Sequence, residues 1–93
     1  LDGWRRLGQS WTVLGEPAKA SQAYEQALAL APMDPETLFR GAVAALDAGD
    51  RTAALDRFRR LLPLVPPDSD AAKAVERAIG DIEAAAPPAP AQQ

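Results

Sequence analysis

The sequence predicts an all-α fold, an α-solenoid of two helix-turn-helix repeats closed by a C-terminal capping helix. Three observations lead there. First, the 93-residue chain repeats itself at a spacing of 34: Gly15 aligns with Gly49, Ala20 with Ala54, Tyr24 with Phe58, Leu28 with Leu62, Leu30 with Leu64, Pro32 with Pro66 and Asp34 with Asp68. These are turn and apolar positions, which decide backbone path and packing, and self-similarity at such a period marks a stacked repeat. Second, apolar residues recur at helical spacing within each unit. Third, Gly and Pro fall where helices must stop and restart. One helix pair cannot bury its own apolar face, whereas a second copy and a last helix laid against it can.

The first helix, about 2–14, carries Trp4, Leu7, Gly8, Trp11 and Leu14 on one stripe, which predicts both tryptophans as packing residues. Gly15 supplies a left-handed stop. Pro17 suits the first turn of the second helix, about 18–31, whose stripe is Ala20, Tyr24, Ala27 and Leu28, with Pro32 near its end. Asp34-Pro35-Glu36 opens the third helix, about 35–48: an N-cap, a first-turn proline and an acid favoured by the helix dipole. Its inner stripe is Leu38, Gly41, Ala42 and Ala45, and Gly49-Asp50 breaks the chain and caps the next helix. The fourth, about 52–62, carries Ala54, Phe58, Leu61 and Leu62. Pro63 has no N–H to donate and crowds the preceding turn, so this helix ends or bends near Leu62. Asp68 is the expected cap of a fifth helix, about 69–85, with Asp70 in its first turn and Ala72, Val75, Ile79 and Ile82 as its stripe. Residues 1–86 therefore read as one domain, with repeats over 1–34 and 35–68 and a capping helix over 69–86. The Pro/Ala-rich residues 87–93 read as a disordered tail.

Composition excludes several functions. Net charge is -3 with both signs spread along the chain, whereas a nucleic-acid partner would call for a basic stripe. No apolar run approaches the roughly 20 residues that span a bilayer, so no membrane insertion by this segment is expected. No signal peptide is visible, and a chain opening on Leu1 rather than Met reads as a piece of a longer or processed protein. Cysteine and histidine are absent, which removes disulfides, thiolate and imidazole metal ligands and the usual neutral-pH base. Ser10 and Ser21 have no evident base beside them. Capping explains Asp50, and solvation explains Asp47. No enzyme, metal or cofactor is expected from this set.

The residues Trp4, Leu7, Gly8, Trp11, Gly15, Ala20, Tyr24, Ala27 and Pro32 resemble the tetratricopeptide repeat signature, with Trp11 where that family often has Tyr. The second unit is looser: Leu38, Gly41, Ala42 and Ala45 replace the Trp, Leu, Gly and aromatic residue, while Gly49, Ala54, Phe58 and Pro66 hold. The resemblance covers about residues 1–82. It implies stacked helix pairs that bind protein segments on the surface lined by the first helix of each pair. A narrower resemblance rests on LDAGDRTAALDRFRRLLPLVPPDSDAAKAVERAI, residues 46–79, which is similar to the last repeat and closing helix of CcmI/CycH/NrfG-type cytochrome c biogenesis proteins. It implies a periplasmic repeat domain of a membrane-anchored parent, acting as a chaperone for the C-terminal helix of apocytochrome c. A generic scaffold or adaptor in another bacterial assembly pathway, in the periplasm or the cytoplasm, is the alternative.

Stacked pairs place Asp2, Arg5, Gln9 and Thr12 of the first helix, Glu36, Phe39, Val43 and Leu46 of the third, and Asp70, Lys73 and Arg77 of the fifth along the groove. At about 100° per residue, Phe39, Val43 and Leu46 form a second apolar stripe beside the core stripe of Leu38, Ala42 and Ala45. With Arg5, Arg40, Lys73 and Arg77 as a basic rim, that stripe suits an amphipathic helix laid in a groove, its apolar anchors on the stripe and its acids on the rim. The competing expectation is that Phe39, Val43 and Leu46 pack inside the domain. A clamp for a peptide carboxylate, built on Arg5 and Arg40, fits poorly: Gln9 stands where an Asn is needed, and Asp70 and Ala74 where bases are needed. The face of the first helix near Leu1, Trp4 and Trp11 offers a third possibility, a homodimer contact or a seat for preceding repeats.

Overall fold

The computed structural model describes residues 2–85; Leu1, Ala86 and the tail expected over 87–93 lie outside the described residues. Five helices follow one another: α1 (Asp2–Val13), α2 (Pro17–Leu30), α3 (Pro35–Asp47), α4 (Arg51–Leu61) and α5 (Asp70–Ala84), with a 3₁₀ turn over Leu62–Leu64 after α4. There is no strand among the described residues. The fold is the all-α helical repeat predicted from the 34-residue period.

The helix ends follow from local chemistry. Gly15 and Gly49 take φ of 75° and 83°, the left-handed region that costs glycine little. Around each, the chain closes the same way: Glu16 N–H donates to Trp11 O at 2.9 Å, and Asp50 N–H to Ala45 O at 2.8 Å, satisfying carbonyls that the helix end leaves free. Asp34 caps α3 by accepting from Thr37 N at 3.0 Å and from the Thr37 hydroxyl. Asp50 caps α4 through Ala53 N at 3.1 Å. The cap of α5 is not Asp68. That residue sits at φ 62° in the turn, and Ser69 takes the role, accepting from Ala72 N at 3.1 Å and donating to Pro66 O at 2.6 Å. Asp68 tolerates the left-handed conformation as a short polar residue does, which leaves Ser69 at the N-cap position. Pro63 sits in the 3₁₀ turn, where α4 tightens and stops.

Each helix packs on the next: α2 lies between α1 and α3, α3 between α2 and α4, and α5 closes over α4. Leu28, Leu38, Ala42, Ala45, Ala54, Phe58, Leu61, Val75 and Ile82 form the main core. Ala20, Tyr24 and Ala44, with Trp11 against them, form a second cluster nearer α1. The packing stripe expected on α1 is buried only in part. Gly8 is buried and Trp11 half-buried, but Trp4 and Leu7 are exposed, and Leu14 lies past the helix end. The reason is that α1 packs mainly on α2, whereas α3 packs extensively on both α2 and α4. Trp11 gains a cation–π contact instead, with the Lys19 ammonium 4.7 Å from its ring centroid.

Tyr24 is 1% exposed and fixes how α1 and α3 sit on α2. A Cβ built on Gly8 would lie 2.7 Å from its Cζ, and one built on Gly41 would lie 3.2 Å from its Cβ. The ring thus occupies space that any other residue at position 8 would fill. Gly8→Ala is expected to lower stability by about 1–3 kcal/mol through overpacking, although alanine is the better helix former. Gly80→Ala, in α5 with no atom within 4 Å of the new Cβ, is expected to raise stability by up to about 1 kcal/mol. Urea unfolding of the two variants measures both, and the opposite signs separate packing from propensity.

Hydrogen bonding from Thr37 holds the Asp34 carboxyl below its ordinary value of 3.8. A depressed carboxylate contributes stability that is present above the unfolded value and lost as pH falls through the folded one. Asp34→Ala is expected to cost about 1 kcal/mol at neutral pH. That difference should shrink below about pH 4, as the wild-type carboxylate gains its proton, which thermal unfolding of both proteins across pH 2–7 would show.

Candidate functional site

The stack carries several concavities, among them one along α1 and α3 and one along α2 and α4. On the first, Thr12, Tyr24, Phe39, Arg40, Val43, Ala44 and Asp47 line a small cleft of about 150 Å³. The helical period places Phe39, Val43 and Leu46 on the outer side of α3, one turn apart, while Leu38, Ala42 and Ala45 face the core. Phe39 is 49% exposed, yet its ring meets buried Phe58 edge-on with centroids 6.4 Å apart. The contact anchors the ring and leaves its other face toward solvent. Val43 and Leu46 are likewise exposed, with Leu46 beyond the lining of the cleft.

The polar groups expected around that stripe are distributed in a particular way. Arg5 on α1 and Arg40 on α3 both bond Glu36, with Arg40 Nε at 3.0 Å, and Arg5 also lies 3.6 Å from Asp2. One carboxylate therefore ties α1 to α3 and occupies both arginines. Asp47, read as merely solvated from the sequence, lines the cleft at the C-terminal end of α3. Thr12 lines it too, with its hydroxyl turned to Gly8 O at 2.9 Å. Gln9 lines a different hollow, with Arg6, Ser10, Val13 and Leu14 on the outer side of α1. Lys73 and Arg77 line a third, along α5 with Ala74, Ala78 and Asp81. Of the residues expected in one groove, the structure brings Thr12, Phe39, Arg40 and Val43 into one cleft, sets Arg5 beside it through Glu36, and places Gln9, Lys73 and Arg77 in hollows of their own.

The opposite surface holds a residue that sequence reasoning passed over. Arg57 on α4 is only 6% exposed. Its Nη1 donates to Ser21 Oγ and to Gly41 O, each at 2.8 Å, linking α4 to α2 and α3. Burial pushes its guanidinium below the usual arginine value, opposed by the charges of Glu25, Asp50 and Asp56. Arg57 lines a wide groove of about 770 Å³ between α2 and α4, together with Arg60 and those three carboxylates. The 34-residue register held the signal: Arg57 stands where the first unit has Ala23, and Gly41 where it has Leu7. The large residue on α4 is matched by the lost side chain on α3, and a Cβ on Gly41 would sit 3.4 Å from Arg57 Cδ.

With this geometry established, comparison with known proteins adds one finding. Residues 1–34 match the family model of the tetratricopeptide repeat. The match ends at Asp34, the cap of α3, so it spans one full helix pair. No curated protein matches the chain. Tetratricopeptide repeats in general mediate protein–protein interaction and are typically non-catalytic. The second pair follows the same register, with Leu38, Gly41, Ala42, Ala45 and Arg57 among its departures.

Arg57→Ala is expected to cost about 2–3 kcal/mol, because it strips a charged donor from Ser21 and Gly41 O and leaves a void. Arg57→Met, which keeps the volume without the charge, is expected to cost less. Urea denaturation of both variants would establish the order.

Proposed function

We propose that this chain is a non-catalytic protein–protein interaction module that receives a helical or extended client segment on the surface of α1 and α3. The observation carrying this reading is the row of Phe39, Val43 and Leu46, three exposed apolar side chains on one face of α3, two of them lining a cleft. Exposed apolar residues so aligned, beside polar Thr12, Arg40 and Asp47, mark an interaction surface rather than a solvated one. A client would set an apolar anchor against Phe39 and Val43. Burying such a side chain contributes roughly 2 kcal/mol before the costs of association. Arg5 and Arg40 are engaged by Glu36, so an acidic client residue would compete with Glu36 for them, while Asp47 favours a basic residue at the other end of the cleft.

The resemblance of residues 46–79 to the closing part of cytochrome c biogenesis proteins makes the C-terminal helix of apocytochrome c the client to test first. That reading puts the module in the periplasm, carried by a membrane-anchored parent. A scaffold for another assembly pathway would use the same cleft with another segment.

Calorimetric titration with amphipathic helical peptides, the apocytochrome c C-terminal helix among them, tests the proposal. Phe39→Glu with Val43→Glu is expected to weaken binding at least about tenfold, as loss of central anchors does, with helicity by circular dichroism largely kept. Undiminished affinity in the folded double variant would remove the cleft from the reading. Because Phe39 also touches Phe58, the single Val43→Glu change serves as the check if the double variant unfolds.

A further inference from the structure

The groove between α2 and α4 carries a second inference, independent of the cleft. Its side chains are short where the two helices face each other, Ala18 and Ala29 on α2 and Ala53 on α4, and Arg57 stands among them. Both hydrogens of Arg57 Nη1 are engaged, by Ser21 Oγ and by Gly41 O at 2.8 Å each. Its Nε and Nη2 have no partner among the described residues. Nor are they sealed in: among those residues the fully buried side-chain atom without a partner is Arg5 Nε. Arg57 lines the groove, so the open edge of its guanidinium is turned toward it. Two adjacent nitrogens of a guanidinium hold a carboxylate by two parallel bonds. Arg57 makes no ion pair among the described residues, although it is only 6% exposed. A charge so buried is ordinarily paired.

The carboxylates around Arg57 decide what kind of anion fits. Asp56 is paired with Arg60 at 3.1 Å. Asp50 uses Oδ1 to accept from Ala53 N at 3.1 Å, which leaves its other oxygen open. Exposed Glu25 makes no ion pair among the described residues. The helices run the same way, since Arg57 reaches Ser21 and Arg60 reaches Pro32 O. Asp50, before Arg57 on α4, and Glu25, beyond Ser21 on α2, therefore stand to either side of the guanidinium. A bare anion would meet both. We propose that this groove docks an extended peptide segment whose carboxylate sits on Nε and Nη2 of Arg57, between two basic residues that meet Asp50 and Glu25. In an extended chain alternate side chains face the same way, so one residue separates each base from the acid. The α2 wall from Ala18 to Pro32 is roughly 20 Å long, enough for about six extended residues. Arg60, donating to Pro32 O at 2.9 Å, closes the far end.

The probe is the capped peptide Ala-Lys-Ala-Glu-Ala-Lys-Ala, titrated into the isotope-labelled 93-residue protein and followed by amide chemical shifts. It is expected to move the amides of Ser21, Gln22 and Ala53 saturably. The same peptide with Gln in place of Glu is expected to bind at least about tenfold more weakly, since a carboxylate on a buried arginine contributes more than an exposed pair. Arg57→Met is expected to remove the preference for the Glu peptide over the Gln peptide. Glu25→Lys, at an exposed position, is expected to move the melting point by no more than about 3 °C and to weaken the Glu peptide at least about threefold. It decides the matter if Arg57→Met does not fold. Equal affinity for the two peptides, or no saturable shift below about 10 mM, would overturn the proposal. So would shifts confined to Phe39 and Val43, which would put the peptide in the cleft instead. Inorganic phosphate that displaces the Glu peptide at equal concentration would reveal a simple anion site and overturn the choice of a peptide segment.

Discussion

Tyr24 is wedged between two glycines, Gly8 on α1 and Gly41 on α3, and the rest of the stack is arranged around that fit. Its ring lies against Gly8 and its Cβ against Gly41, so the three helices approach closely. The same ring lies at the base of the cleft, beside Thr12, Phe39 and Val43. The distance between α1 and α3, and hence the width of the candidate binding surface, is thus set by core packing. The tie from Arg5 through Glu36 to Arg40 lies across that separation at the surface, but exposed ion pairs contribute little. The buried ring holds the geometry, and the charges decorate it.

The two units solve the same packing problem with different residues. In the first, Gly8 receives the Tyr24 ring; in the second, Ala42 and Phe58 hold the equivalent positions. Gly41 in place of a leucine and Arg57 in place of an alanine are linked departures. The side chain missing from α3 leaves room for a guanidinium that binds Ser21 and the Gly41 carbonyl. A buried charge is costly unless hydrogen-bonded, and these bonds run to two different helices. Arg57 therefore acts as a polar tie on the α2–α4 surface, in a place where the first unit has Ala23.

The two ends of the stack are not alike. At the C-terminal end α5 buries Ala72, Val75 and Ile82 against α4 and its 3₁₀ extension, while its outer side carries Lys73, Glu76 and Arg77 exposed. Its inner side is apolar and its outer side charged. The α1 end has leucines in the positions that α5 fills with buried Val75 and Ile82.

The sequence by itself determined the helices and where they break. Gly15 and Gly49, the Asp34 and Asp50 caps, and Pro17, Pro35 and Pro63 act through the local backbone, within a few residues of themselves, and need no tertiary contact to be read. The inner face of α3 was equally legible, since Leu38, Ala42 and Ala45 are separated from Phe39, Val43 and Leu46 by helical geometry alone. Tertiary structure decided the rest. Whether Trp4, Leu7 and Leu14 are covered depends on how many neighbours α1 has, which a periodic stripe does not encode. Arg40 bonding Glu36 could be read from their spacing on α3, but the reach of Arg5 from another helix to the same carboxylate could not. Arg57 is buried because a glycine 16 residues earlier on a different helix leaves space for it, and Lys73 and Arg77 stand apart from the cleft because α5 packs on α4. Local backbone chemistry is written in adjacent residues; burial and charge pairing are properties of surfaces that meet only when the chain has folded.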